Sequence, residues 1–130
     1  MIIKDFKQTT HANNDSAIEA AMAKRYEVGV NSFWLTNGNS EYPALLVLVN
    51  QNSASAHYFP EADHPGFQSE GSQSALEPRG TQAFYLDGQP EPQLIVNEAI
   101  IGFDDAIIAA KEFAKTGKRP SALNWIDLSG

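Results

Sequence analysis

At 130 residues, with 42% hydrophobic and 19% charged residues, the chain is predicted to form one globular domain over residues 1–130, and its lack of cysteine excludes disulfides and thiolate metal sites. The net charge is −7, and it is concentrated between Tyr26 and Ala110, where eleven acids accompany a single base, Arg79. Unless the fold intermixes the segments, this predicts an acidic surface that repels nucleic acid and acidic lipids and attracts basic partners.

The first helix is predicted from Ser16 to Val28. Ser16 and Glu19 have the spacing of a capping box, and the apolar residues between them and Val28 recur at helical intervals. Gly29 is a suitable residue to end the helix, because glycine adopts the left-handed conformation without strain.

Five segments have the composition or alternation of strands, and turn sequences such as Asn37-Gly38 separate them. They are Ser32–Thr36, Ala44–Val49, Ala54–Phe59, Thr81–Leu86 and Gln93–Asn97. The second is a continuous run of apolar and β-branched residues, which predicts a strand buried on both faces.

The segment from Pro60 to Gly80 has no sustained period and is rich in proline, glycine, serine and acids. We predict a long connection there rather than a strand or helix. Connections of this length inside one domain are more often functional or mobile than neutral.

The last helix and the point at which it ends are predicted from the stretch Phe103 to Trp125, FDDAIIAAKEFAKTGKRPSALNW. Acids lie in its first turn and lysines toward its end, Gly102 is an acceptable N-cap, and Gly117 is a natural stop. Arg119 is expected to satisfy the last carbonyls of this helix or to pair with an acid. Trp125 is expected to lie on a short tail against the domain.

This order predicts the class of fold. A helix, about five strands, a second helix and a short terminal tail are segregated rather than alternating, which favours an α+β domain with an antiparallel sheet and helices on one face. The N-terminus has no apolar run resembling a secretory signal, and Ala44–Val49 is too short to span a bilayer, so we expect a cytoplasmic protein that binds no membrane.

No catalytic motif emerges from the residues. His57, Asp63 and His64 lie close together in the sequence, but their spacing matches no established metal-ligand motif. We therefore predict no metal, no cofactor and no enzymatic activity. A small ligand-binding domain or enzyme with a pocket near these three residues is kept as the alternative.

Aromatic residues occur as adjacent pairs in the predicted strands, for example Tyr58 and Phe59. Neighbouring strand residues point to opposite faces, so one ring of each pair is expected in the core and the other against a helix or a partner. Phe67, among acids in the long connection, is the better candidate for an exposed anchor.

Several short blocks resemble the immunity proteins of bacterial polymorphic toxin systems. The blocks are Asn31-Ser32-Phe33-Trp34-Leu35-Thr36, Pro43-Ala44-Leu45, Ala56-His57-Tyr58, Ala109-Ala110-Lys111-Glu112-Phe113, Thr116, Arg119-Pro120 and Leu123-x-Trp125. They resemble in particular the family typically paired with deaminase-fold toxins, among them a double-stranded-DNA cytosine deaminase. The resemblance implies a protein that binds and inhibits rather than one that reacts, and the absence of cysteine excludes the deaminase zinc motif itself.

With that resemblance, the partner is expected to be a cognate toxin with a basic active-site cleft, and the chain is expected to be a monomer before it binds. It should not bind nucleic acid. The residues predicted to contact the toxin are four acids and two aromatic anchors: Glu61, Asp63, Glu70, Glu77, Phe67 and Tyr58.

Overall fold

An antiparallel sheet of eight strands forms the framework of the fold in a computed structural model, which describes residues 1–71 and 80–129. The strands, in chain order and including a separate pair, are β1 (Ile2–Lys4), β2 (Thr9–His11), β3 (Val30–Thr36), β4 (Ala44–Asn50), β5 (Ser53–Phe59), β6 (Phe67–Glu70), β7 (Thr81–Phe84), β8 (Gln93–Val96), β9 (Ile101–Gly102) and β10 (Asn124–Asp127). The main sheet runs β10-β6-β5-β4-β3-β1-β2, with β9 also paired to β5, while β7 and β8 form a separate hairpin.

Two helices cover one face of the main sheet. They are α1 (Asp15–Met22) and α2 (Phe103–Thr116). Their apolar sides, including Ile18, Met22 and Phe113, meet the inward residues of β3, β4 and β5 in one buried cluster. No helix in residues 1–71 or 80–129 combines the length and the hydropathy that crossing a membrane requires.

The hairpin of β7 and β8 lies over the opposite face. Phe84 and Ile100 are fully buried there against Leu46 and Leu48 of β4. The prediction that β4 is buried on both faces is therefore confirmed. An α+β domain with an antiparallel sheet and helices on one face is confirmed as well.

The end of α2 is as predicted. Gly102 precedes the helix, and Gly117 follows it in the left-handed conformation with φ of 65°, donating its N–H to the Phe113 carbonyl at 2.8 Å. The predicted bounds of α1 are wrong. Asn14, rather than Ser16, caps it by accepting from Ala17 N–H at 2.8 Å.

The first helix also ends earlier than predicted, at Met22 rather than Val28. Two side chains bind carbonyls at this end: Arg25 donates to the carbonyl of Met22, the last helical residue, and Asn31 donates to that of Lys24, two residues further on. These bonds turn the chain into a 3-10 turn, Glu27–Gly29, which leads directly into β3.

The predicted count of about five strands is too low. All five predicted strands exist, but β1, β2, β6, β9 and β10 were not predicted. The segment Pro60–Gly80, predicted as a connection, contains β6, and the tail carrying Trp125 is itself a strand, β10, paired with β6. These strands have two to four residues each, so they carry too little alternation for a sequence pattern to reveal.

Candidate functional site

The loop between β5 and β6 carries two of the predicted acids. Glu61 and Asp63 are both exposed, and the loop is held by His64, whose N–H donates to the Glu61 carbonyl and whose Nδ1 accepts from Gly66 N–H at 2.8 Å. Gly66 has φ of 94°, and a Cβ there would lie 2.8 Å from the Phe59 ring and 2.9 Å from the Tyr58 carbonyl. Glycine is thus required at this turn, which fixes where the loop presents its acids.

Phe67, the predicted aromatic anchor, begins β6 and is half-buried. Its ring stacks on His64 at 5.2 Å between centroids, and the Arg119 guanidinium lies 4.4 Å from its centroid. Arg119 therefore makes a cation–π contact that was not predicted, and it also interacts with an acid, since it helps to lower the pKa of the Asp127 carboxyl. Phe67 presents a ring that is already held in place by two neighbours.

Tyr58 lies beneath Phe67 rather than at the surface. It is 8% exposed and meets the ring of Phe113 nearly edge-on at 6.2 Å between centroids. Burial raises the pKa of the Tyr58 hydroxyl, an effect that Arg119 partly opposes. In the free protein Tyr58 supports Phe67 instead of forming an exposed contact.

Of the two remaining predicted acids, Glu70 and Glu77, only the first lies among the described residues. Glu70 is exposed at the end of β6, where it is paired in register with Asn124 of β10. Glu77 lies outside the described residues. The exposed acids Glu61 and Asp63, with the ring of Phe67 held by His64 and Arg119, are called the acidic edge below; Glu70, three residues after Phe67 in β6, points to the opposite face of the sheet.

The acidic edge is not uniformly acidic, because the segment that follows α2, from the more basic part of the chain, lies beside it. Arg119 covers Phe67, and Asp127 of β10 is in register with Phe67. Hydrogen bonds from Ser129 lower the pKa of the Asp127 carboxyl, with smaller contributions from His64 and Arg119. At this edge the fold intermixes the segments, so a partner meets acids around a central cation rather than a plain negative patch.

His57 does not join Asp63 and His64 in a pocket. His57 is in register with Gln68, and its neighbour Tyr58 is in register with Phe67. His64 stacks on Phe67, so it lies on the same side of the sheet as Tyr58. Adjacent strand residues point to opposite faces, so the sheet separates the two histidines. The pocket considered as the alternative is therefore not formed by these residues, and no cluster of three or more potential metal ligands occurs within residues 1–71 and 80–129.

The surroundings of His57 are apolar. Its ring stacks on Phe59 at 6.3 Å, its Nε2 lies 3.1 Å from the Gln68 amide nitrogen, and Nδ1 has no hydrogen-bond partner among the described residues. Burial lowers the pKa of His57 from 6.5 to about 4. The imidazole is thus held neutral in the folded protein at physiological pH.

This burial predicts a specific loss of stability in acid. Unfolded His57 takes up a proton near pH 6.5, whereas folded His57 resists until about pH 4, so the unfolded state binds more protons in that window. The free energy of unfolding should fall by up to about 3 kcal/mol as pH falls through the window. Urea unfolding at several pH values would measure this in the wild type and in His57→Leu, which cannot take up the proton. Parallel losses in both proteins would contradict a buried neutral histidine.

Open clefts among the described residues also lie away from the acidic edge. One of about 590 Å³ is bounded by the β1–β2 turn, the 3-10 turn and the β7–β8 turn, and one of about 570 Å³ lies beside the β3–β4 loop. Phe6, Tyr26 and Tyr85 line the first cleft, which was not predicted from the sequence. The sequence feature that could have indicated this cleft is Val28-Gly29, in which a β-branched residue directly precedes the glycine predicted to end α1.

The fold is an α+β domain whose surface carries exposed acids beside an aromatic ring that two neighbours hold in place. Among known proteins, the chain is similar over nearly its whole length to an immunity protein. That relative is the double-stranded DNA deaminase immunity protein of Burkholderia cenocepacia (strain H111), which is 25% identical over 131 residues, spanning 98% of this chain and 100% of the relative. No protein-family model matches the chain. The resemblance inferred from the short blocks is thereby confirmed.

Proposed function

We propose that this chain is an immunity protein, which binds a cognate interbacterial toxin and blocks its active site. The observation that carries the proposal is the similarity, over 98% of this chain, to a curated deaminase immunity protein. Because that relative is named for a double-stranded DNA deaminase, we take the toxin to be a nucleic-acid deaminase. The role is one of binding, and the proposal involves no cofactor and no reaction on this chain.

The acidic edge supports an electrostatic part of the mechanism. Glu61 and Asp63 are exposed, and neither is engaged in a described salt bridge. A toxin that acts on nucleic acid needs basic groups to hold phosphates, and free carboxylates can face those groups in place of the substrate. Glu70, on the opposite face of the sheet, and Glu77 remain further predicted contacts.

The steric part of the mechanism rests on Phe67. Its ring is fixed by His64 and Arg119, so little side-chain entropy is lost when a partner contacts the exposed part of the ring together with the guanidinium beside it. An interface of roughly 1,600 Å² centred on such a ring, with acids at its rim, has the usual anatomy of a specific complex. Tyr58 contributes from below by supporting Phe67.

The proposal places the chain in the cytoplasm, as a monomer before it meets the toxin. Co-expression with the toxin encoded beside it tests the role. We expect growth to be rescued and a stoichiometric complex to be recovered. Continued killing by the toxin, while the chain is expressed and folded, would contradict the proposal.

A further inference from the structure

Val28 has a backbone conformation that its side chain disfavours. It lies in the left-handed region, with φ of 56° and ψ of 21°, and its side chain is 77% exposed. A β-branched residue with positive φ is a genuine outlier, and the exposed side chain gains no burial in return. The backbone strain at this position is therefore not offset by burial of the side chain, and strained residues of this kind occur preferentially at functional sites.

Neighbouring backbone bonds hold this strained turn in place. Tyr26 N–H donates to the Val30 carbonyl at 2.9 Å, Gly29 N–H donates to the Tyr26 carbonyl at 2.9 Å, and Gln51 N–H donates to the Gly29 carbonyl at 2.8 Å. The turn is thus tied to β3 and to the β4–β5 connection. A rigid turn presents the Val28 side chain in one position, which lowers the entropic cost of binding.

Val28 stands at the rim of the cleft of about 590 Å³. Phe6 stacks on Tyr26 at 5.7 Å between centroids, and Tyr85 and Pro90 line the cleft as well. The Tyr26 hydroxyl donates to the buried Asp5 carboxylate, with oxygen–oxygen distances of 3.1 and 3.2 Å. The cleft is therefore concave, aromatic and held by hydrogen bonds, as sites that receive a side chain of a partner usually are.

The charges around the cleft favour a basic occupant. Glu27 and Asp87 line it and Asp5 lies beneath, whereas the one base among the lining residues is Lys7. The Lys7 ammonium lies 4.8 Å from the centroid of the Tyr26 ring, so it is engaged by an aromatic face. The guanidinium of neighbouring Arg25 is turned to the Met22 carbonyl and to the Phe103 ring instead.

From these observations we infer a second contact surface for the toxin, formed by Val28 and the aromatic cleft beside it. Its occupant is a segment of that protein which places an apolar side chain in the cleft and a lysine or arginine beside Glu27. The inference rests on the proposed function and extends it to the other end of the sheet. Val28 precedes β3 beside the β4–β5 connection, whereas the acidic edge follows the far end of β5. A strand of this length separates the two surfaces by roughly 20 Å, which a standard interface can span.

Two substitutions at Val28 separate binding from stability. Val28→Gly removes the side chain and relieves the strain, and Val28→Asn keeps a residue that tolerates positive φ but removes the apolar contact. We expect both to weaken toxin binding by about tenfold, mainly through faster dissociation. The melting temperature should be unchanged or should rise, by up to about 4 °C for the glycine variant. Ile108→Ala, at an exposed apolar residue of α2, is the matched control and should change neither quantity.

The outcomes of this experiment are distinguishable. If the wild type does not bind the toxin, the proposed function fails and this inference with it. If the wild type binds and both Val28 variants bind equally well, the second surface alone is overturned. A free chain that is dimeric, and becomes monomeric in Val28→Gly, would also overturn it by showing that the occupant is a second copy. Affinity losses that multiply when Val28→Gly is combined with Glu61→Lys would support two separate contacts.

Discussion

Reversing both charges in the β5–β6 loop, with Glu61→Lys and Asp63→Lys, is expected to slow association with the toxin by about tenfold or more at low salt. Both side chains are exposed and carry no described hydrogen bond to the rest of the fold, so they act on the approaching partner rather than on the chain itself. Stopped-flow association at low and at several hundred millimolar salt measures the effect. The wild-type rate should fall as salt screens the charges, and the variant rate should depend on salt much less.

The control for this prediction is Glu41→Lys, which reverses an equally exposed acid in the loop between β3 and β4. It changes the net charge of the chain without altering the acidic edge, so its effect on the rate should be small. All of these variants should melt close to the wild-type temperature. An association rate that is independent of salt would contradict electrostatic steering, and unfolding of the double variant would show that the acids are structural.

Phe113→Ala is expected to reduce the free energy of unfolding by about 3–5 kcal/mol. The ring is 1% exposed, belongs to the core between α2 and the sheet, and receives the edge of Tyr58 at 6.2 Å between centroids. Its removal leaves a cavity beneath Tyr58. Because Tyr58 in turn supports Phe67, the cavity should also weaken the support of Phe67. Chemical denaturation measures the loss, and toxin binding measured under conditions where the variant remains folded shows whether the acidic edge depends on this support.

Ile108→Ala is the matched control in the same helix. Ile108 is 54% exposed, so its truncation should change stability by no more than about 0.5 kcal/mol. A comparable loss in the two variants would contradict a specific contribution from the packing of Phe113, because alanine favours the helix at both positions.

The parts of the fold that the sequence predicts are those in which local chemistry agrees with tertiary packing. The bounds of α2 follow from Gly102, the acids of its first turn and Gly117, and each has the expected position. The buried strand β4 is visible as a continuous apolar run. The early end of α1 could not be predicted, because it depends on Asn31, a residue of β3 that binds the Lys24 carbonyl across the fold.

The exposure of the predicted contact acids could be expected from the sequence, but the packing around Phe67 could not. Glu61, Asp63 and Glu70 are exposed, as acids in a loop or at a strand end usually are. The burial of Tyr58 and the contact between Arg119 and Phe67 both depend on pairing within the sheet, since β6 lies between β5 and β10. A segment of four residues such as β6 gives no local indication of that pairing, so the contacts of His64 and Arg119 with the Phe67 ring could not be predicted.

The two proposed surfaces differ in what they contribute to binding. The acidic edge carries free charges, which act at a distance and mainly affect how fast the partner arrives. The Val28 cleft offers a fixed apolar contact, which acts only when the partner is seated and mainly affects how slowly it leaves. A toxin that touches both ends of the sheet would bind quickly and dissociate slowly, which suits a protein that must neutralise a toxin before it acts.

A titration of toxin activity with the purified chain tests the central claim most directly. Deaminase activity would be measured on a nucleic-acid substrate while the chain is added in increasing amounts. Occlusion of the active site predicts that activity falls in proportion to the added chain and reaches zero at one equivalent, and that excess substrate slows the onset of inhibition. Full activity in a stoichiometric complex, or in the presence of a large excess of folded chain, would contradict the account.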